Sequence, residues 1–330
     1  MAKPVADTLS PAENAAGFVS DSNPITGFSH MHDSGTGGHP SLGNFPLFVH
    51  PGCPDDDYAQ CACSVMHRGT RRVEGSAYAA PGYFRVNLTN SVRAEMTATM
   101  HAALYRFGFH GNETVHVHGL EAGNEEQAKE VVTQVPYSPL VVVDLVDLMN
   151  SRSAGSIKVD PDSGRVVGEG KYGPSFGTGK YHAYFCADFR GAAIRRAGTF
   201  KANNATEEPK ALDGLGEGFY IPTGSAGAWI QFEKPTDNSI LVRVGVSFIS
   251  VDQACENAER EIGDWRFESV ESNARKAWRE KLGVVEVDAR GVSEELQTTF
   301  WSGLYRTLLS PQNYTGENPL WNSTEPYFDS

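Results

Sequence analysis

Ser239-Ile-Leu-Val-Arg-Val-Gly-Val-Ser-Phe-Ile-Ser-Val251 decides the fold class, because its side chains alternate sides along an extended chain. Ile240, Val242, Val244, Val246 and Phe248 fall on one face, while Leu241, Arg243, Gly245, Ser247 and Ile249 fall on the other. One face is core. Toward the N-terminus the same period recurs over residues 92–109, where Val92, Ala94, Met96, Ala98 and Met100 alternate with Arg93, Glu95, Thr97, Thr99 and His101. That stretch reads as one half-buried strand ended by the turn signal Phe109-His110-Gly111-Asn112. Residues 140–148, 180–189 and 228–233 are further strand candidates, separated by Gly, Asp, Asn and Pro clusters. Together they predict a mainly β fold, an antiparallel β-sandwich over residues 1–250, with a closed barrel fitting the pattern nearly as well.

Beyond residue 250 the period changes. Ser250-x-x-Gln253 has the form of a capping box, and Ala254, Ala258 and Ile262 recur four residues apart, so a helix starts there. A second helix is expected over residues 270–282, with Ala274 and Trp278, stopping at Gly283. Residues 284–287 suit a short strand. From Ser293 a third helix carries Leu296, Phe300, Leu304 and Leu308 on one stripe and Trp301, Tyr305 and Leu309 beside it. Leaving several such side chains in water costs roughly 1.5 to 3 kcal/mol each, so the stripe calls for a partner helix. The expected organisation is therefore a sandwich at 1–250, a helical linker at 251–290, and at 291–330 the truncated start of a helical domain.

Composition narrows the function. The 330 residues are 40% hydrophobic and 21% charged, ordinary usage for a folded domain, so disorder and coiled coils are excluded. A formal net charge of -13 repels phosphate, and no long Lys/Arg run offsets it, which argues against nucleic acid as a partner. No apolar window spans a membrane, and the first ten residues lack the layout of a secretory signal, which leaves a cytosolic location open. Five Asn-x-Ser/Thr acceptors, at Asn87, Asn112, Asn204, Asn313 and Asn322, point instead to a secretory lumen. Five cysteines leave at least one unpaired, and Cys53 could close a short loop with Cys61 or Cys63.

The densest polar motif is Gly27-Phe-Ser-His-Met-His-Asp-Ser-Gly-Thr-Gly-Gly38. Its glycines let backbone N–H groups approach a ligand, and His30, His32, Asp33 and Ser34 offer donors and acceptors suited to sugar hydroxyls; the bland alternative is a loop that satisfies its own backbone. His30-x-His32 is a weak metal signal from one strand face. Asp55-Asp56-Asp57 lacks the glycine and distal glutamate of a calcium loop and reads as solvated. No Gly-x-Gly pattern sits in a nucleotide-binding context, and no zinc ligand set accompanies Cys61-Ala62-Cys63.

Residues 27–37 resemble the Gly-Phe-Ser-His-x-His-x-Ser-Gly-Thr-Gly signature of glycoside hydrolase family 92. Glu95-Met-Thr-Ala-Thr99 with Leu104-Tyr-Arg-Phe107, Val244-Gly-Val-Ser-Phe-Ile-Ser-Val251 running on through Trp265 and Phe267, and Phe300-Trp-Ser-Gly-Leu-Tyr-Arg-Thr-Leu-Leu-Ser-Pro311 are similar to further family segments in the same order. The resemblance covers nearly the whole chain and is closest to fungal members.

It implies a galactose-mutarotase-like supersandwich followed by an (α/α)6 barrel, and an exo-acting, calcium-dependent α-mannosidase that inverts configuration. Inversion needs two carboxyl groups about 6.5 to 9.5 Å apart. In the family both lie on the barrel, with most calcium contacts, so no catalytic or metal-binding residue is expected within residues 1–330 and the chain alone should be near inactive. Phe28, Ser29, His30, His32, Asp33, Ser34 and Gly35 are expected to line one wall of the sugar pocket. The implied partners are α-mannosides and N-glycans, with the remainder of the (α/α)6 domain as packing partner. The alternative is a non-catalytic carbohydrate-binding or N-glycan-processing module.

Overall fold

The computed structural model describes residues 2–8, 17–20, 23–32, 43–111, 114–120, 130–148, 150–174, 178–216 and 224–309. In chain order the first strands are β1 (Val5–Thr8), β2 (Ile25–His30), β3 (Asn44–His50), β4 (Tyr78–Ala80), β5 (Tyr83–Asn87) and β6 (Val92–Ala98). Next come β7 (Ala102–Phe109), β8 (Thr114–Leu120), β9 (Glu130–Pro136), β10 (Leu140–Asp144), β11 (Ala154–Val159) and β12 (Val166–Tyr172). The last are β13 (Tyr181–Arg190), β14 (Ile194–Lys201), β15 (Asn204–Thr206), β16 (Ala211–Leu212), β17 (Ala226–Phe232) and β18 (Ser239–Ser247). Among the described residues three helices follow: α1 (Val251–Glu261), α2 (Phe267–Leu282) and α3 (Glu294–Thr307).

Seven strands form one open sheet in the order β1-β2-β3-β10-β17-β14-β15, and nine form a second in the order β16-β11-β12-β13-β18-β7-β6-β5-β4. Among the described residues neither closes into a barrel, and β8 and β9 pair separately as a two-stranded antiparallel sheet. The main core lies between the two sheets. Phe28, Phe45, Leu47 and Ile230 from the first meet Tyr105, Phe107, Phe185 and Val244 from the second. Phe45 and Phe185 face each other at 4.6 Å between ring centroids.

Two outer faces are covered as well, which alternation alone does not reveal. On the seven-stranded sheet, Phe48, Leu140, Val142 and Trp229 form a second core beneath the loop that carries Cys53, Cys61 and Cys63. A Cys53–Cys61 disulfide closes that loop, Cys63 stays free and buried, and Tyr58 stacks on Trp229 at 4.3 Å. On the nine-stranded sheet, α1 lies against β18 and β13, so Gly245 and Ser247 of β18 are buried despite belonging to its less apolar face. A Cβ on Gly245 would sit 2.0 Å from the Ala254 carbonyl oxygen and 2.9 Å from the Ala258 Cβ. Glycine therefore sets how closely this helix docks. A second disulfide, Cys186–Cys255, ties α1 to β13.

Several sequence expectations are corrected. Residues 92–109 are a hairpin and not one strand, because Thr99 builds a turn: its N–H and hydroxyl both donate to the Ala102 carbonyl, at 2.8 and 3.0 Å. No Gly, Pro or Asn marks that turn, so the alternation runs through it unbroken. Asp55-Asp56-Asp57 is not simply solvated, since Asp56 receives two hydrogen bonds from the Arg195 guanidinium, at 2.9 and 2.8 Å. Residues 284–287 form no strand, and Val284 and Val287 stand 81% and 49% exposed, without the apolar cover a strand face needs. The caps hold: Ser250 accepts from the Gln253 N–H at 3.1 Å and Ser293 from the Leu296 N–H at 3.3 Å.

Candidate functional site

Register brings many strand ends to one end of the sandwich. In the seven-stranded sheet β2 ends beside the start of β3 (His30 opposite Asn44), and β10 ends beside the start of β17 (Asp144 opposite Gly227). In the nine-stranded sheet Tyr172 at the end of β12 faces Tyr181 at the start of β13. Hydrogen bonds join the two sheets here: the Asn44 amide donates to the Tyr181 hydroxyl at 3.1 Å, and the Tyr172 hydroxyl donates to the Leu145 carbonyl at 2.8 Å. The glycine-rich motif leaves β2 at this end.

Four of the seven expected site residues fall on described positions, and all four are fully enclosed, at 0% exposure. Phe28 packs its ring 5.5 Å from Phe107 inside the main core. His30 points the same way. Its Nδ1 lies 3.2 Å from the Phe45 carbonyl oxygen and its Nε2 2.9 Å from the Tyr105 hydroxyl. A neutral ring that donates from Nδ1 and accepts from the tyrosine at Nε2 satisfies both contacts. Burial pulls its pKa down to about 4, with the carbonyl contacts opposing, so the ring is neutral near pH 7.

Met31 then takes a left-handed backbone, φ 59°, which ends the strand and turns His32 away from His30. The pair therefore does not share a strand face, and the metal reading of His30-x-His32 is corrected. His32 joins a compact knot with the opposite strand. Ser29 Oγ donates to Asp7 Oδ1 at 2.8 Å and lies 2.6 Å from His32 Nε2, which is 3.3 Å from the same carboxylate oxygen. This is not a nucleophilic triad, because the hydroxyl stands between imidazole and carboxylate and no solvent reaches it. The knot anchors the start of the loop at its base. Asp33, Ser34 and Gly35 lie outside the described residues.

Other polar groups near this end carry no sequence signal. Asp147 is buried, and burial raises its carboxyl pKa to about 6, although the Ser151 N–H and hydroxyl each donate to it at 2.6 Å. Arg152 is buried beside it and donates from Nη2 to the Gly224 carbonyl at 2.7 Å. Isolated Asp, Arg, Asn44 and Tyr181 residues fit no motif spacing, and only cross-sheet pairing gathers them.

Among the described residues no three His, Cys, Asp or Glu side chains gather in a way that could hold a metal ion. None of the described helices is long and apolar enough to cross a membrane.

Comparison with known proteins gives consistent matches. The chain is 46% identical over 334 residues to an uncharacterized secreted glycosidase of Arthroderma benhamiae, covering all of this chain and 41% of that protein. It therefore spans about two fifths of the relative's length. Among solved structures, the GH92 family glycosyl hydrolase ccman5 matches with a TM-score of 0.73 at 24% identity, over 95% of this chain and 38% of that one. A family GH92 α-mannosidase from Bacteroides thetaiotaomicron matches equally in TM-score, 0.73, at 19% identity and the same coverage, which shows the fold. The glycosyl hydrolase family 92 N-terminal domain matches residues 1–247 and the family 92 catalytic domain matches residues 253–330. With the N-terminal match spanning the two-sheet sandwich and the catalytic match beginning in α1, this chain belongs to glycosyl hydrolase family 92.

Proposed function

We propose that this chain is the amino-terminal part of a secreted exo-α-mannosidase that cleaves α-1,2-type mannosides from N-glycans and glycoproteins. The reading rests first on the junction of the two family domains: α1, where the catalytic match begins, is fixed to the sandwich by the Cys186–Cys255 disulfide and by packing on Gly245. A rigid junction of this kind holds the loop end of the sandwich in a set relation to whatever follows α1, as a pocket shared between two domains requires. A family GH92 α-mannosidase of similar fold has been solved with mannoimidazole, and the Arthroderma protein is described as secreted.

In this reading the sandwich supplies one wall of the sugar pocket. Asp33, Ser34 and Gly35 meet the sugar, while Phe28, Ser29, His30 and His32 hold the loop from beneath. The general acid, the general base and a calcium ion belong to the remainder of the catalytic domain. The 330-residue chain by itself then has background activity only.

The test uses a version extended to the length of the Arthroderma relative beside the chain itself. With an α-1,2-mannobioside as substrate, the extended protein should release mannose with inverted anomeric configuration, and a calcium chelator should stop it. In the extended protein Asp33→Ala should lower kcat/KM by about ten- to a hundredfold, the worth of a hydrogen bond to a charged group, at an unchanged melting temperature. Mannose release by the 330-residue chain alone, or unchanged kinetics for Asp33→Ala, overturns the corresponding part of the proposal.

A further inference from the structure

Of the five glycan acceptor motifs, two fall on described residues: Asn87-Leu88-Thr89 and Asn204-Ala205-Thr206. Exposure is not automatic for asparagine in this fold. Asn44, Asn90 and Asn257 are buried, and each spends its side chain on internal hydrogen bonds, to Tyr181, Val49 and Val246 respectively. Asn203, one residue before an acceptor, is likewise committed, since its Oδ1 accepts from the N–H groups of Cys63 and Ser64. Asn87 and Asn204 are both exposed, and the bonds that hold them run through their backbones: Asn87 to Ser76 and Val73, Asn204 in the ladder to Lys201. Their side-chain amides make no hydrogen bond among the described residues.

The surroundings of each site leave room outside the fold. Asn87 ends β5 next to Arg85, which is also exposed, while Val86 and Leu88 between and beyond them point into the core. Asn204 lies on β15, the last strand of the seven-stranded sheet, opposite the exposed Lys201. An open sheet edge is a template for pairing with another chain, and a bulky, hydrated group there blocks it. A second, independent observation concerns the compartment. Two disulfides, Cys53–Cys61 and Cys186–Cys255, form in the oxidising lumen where asparagine glycosylation takes place.

We infer that Asn87 and Asn204 carry N-linked oligosaccharides, one on each sheet, with the Asn204 glycan shielding the β15 edge. The donor is a polyisoprenyl-diphosphate-linked oligosaccharide of the secretory lumen. The Asn Nδ2 forms a bond to the anomeric carbon, the bond from that carbon to the diphosphate oxygen breaks, and the amide proton leaves with the lipid diphosphate. This inference does not rest on the mannosidase reading.

The experiment expresses the chain behind a secretion leader in a yeast host and collects both the medium and the luminal fraction of the cells, so that retained protein is also read. Treatment with a peptide amidase that releases N-glycans should convert Asn87 and Asn204 to Asp, seen by peptide mass spectrometry. Asn87→Gln and Asn204→Gln should each remove one glycan step from the intact mass. Where an asparagine variant fails to fold, Thr89→Ser and Thr206→Ser, which keep the acceptor motif, should retain the glycan, and Thr89→Ala and Thr206→Ala should lose it. Unmodified asparagine at either position in the luminal pool overturns the assignment for that position. After enzymatic release of the glycans, a rise in oligomer on size-exclusion chromatography supports edge shielding, and an unchanged monomer fraction rejects it.

Discussion

Helices α1 and α3 have similar lengths, Ser caps and apolar stripes in sequence, yet their surroundings differ sharply. In α1, Ala254, Ala258 and Asn257 are buried on β18. The Arg243 guanidinium donates to the Ile262 carbonyl just past its end, at 2.8 Å, while also pairing with Asp188 at 2.6 Å. His101 in the β6–β7 turn lies 2.6 Å from the Glu261 carboxylate and also donates its N–H to it at 2.9 Å. By contrast, α3 buries no residue, and Leu296 and Phe300 are 60% and 44% exposed. The lesson is that an amphipathic pattern states only that a face needs cover. Small residues on both partners decide whether the sheet itself supplies it, and the bulky stripe of α3 is left largely uncovered, touched by Trp278 of α2 at Tyr305 and by Lys3 just past its end.

The docking of α1 is most sensitive at Gly245. Gly245→Val places branched carbons where even a Cβ meets the Ala254 carbonyl at 2.0 Å, so α1 must lift. The expected loss is more than about 3 kcal/mol, the upper range for overpacking, read as a lower denaturation midpoint. An unchanged midpoint means that the close approach does not control docking.

Acid should separate the sandwich interior from the helix that docks on it. His30 has its pKa lowered by burial to about 4 from an ordinary 6.5, so the unfolded chain takes the proton first. Its contribution is full above pH 6.5 and is lost as pH falls toward 4. For Glu261 burial works against ionisation, but the hydrogen bonds from His101 prevail and hold the carboxyl at about 2, against 4.5. That contribution is present above pH 4.5 and is lost between 4.5 and 2. Each is worth on the order of 3 kcal/mol. Between pH 6.5 and 4 the like-shifted His50 adds to the His30 loss while Asp147, held up at about 6, offsets part of it; below pH 4.5 melting temperature should fall, and Glu261→Gln should flatten that fall.

The smallest effect belongs to α3. Leu296→Gln and Phe300→Gln should shift the stability of this chain by no more than about 0.5 kcal/mol, as for other exposed positions. They should also reduce self-association if the stripe is its cause, which sedimentation would measure. A large loss of stability would show that α3 is docked after all.

Much of the β-rich character was legible, for a definite reason. The alternation at β18 reflects one face turned to the inter-sheet core, and the Ser250 and Ser293 caps use local hydrogen bonds that spacing reveals. Strands such as β10 and β17 are apolar on both faces, because the Cys53–Cys61 loop covers the outer one, so a period of two is weak there. The Thr99 turn was hidden because its side chain does locally what glycine or asparagine does elsewhere. At the candidate site, the glycine-rich motif was conspicuous, but its described side chains serve the interior. Asp7, Asp147 and Arg152 were invisible, since nothing near them in sequence shares their chemistry.

The antiparallel β class, the change to helix after residue 250, the family signature and the need of the α3 stripe for cover can all be read from the chain alone. These are properties of short-range periodicity and local bonding. Packing across the fold sets which faces are covered twice, that Phe28 and His30 are core, that His32 answers to Asp7 and Ser29, and which acceptor asparagines face solvent. Those depend on contacts between residues far apart in the chain, such as Cys186 tied to Cys255 or Asn44 against Tyr181, and no local pattern encodes a partner that another strand supplies.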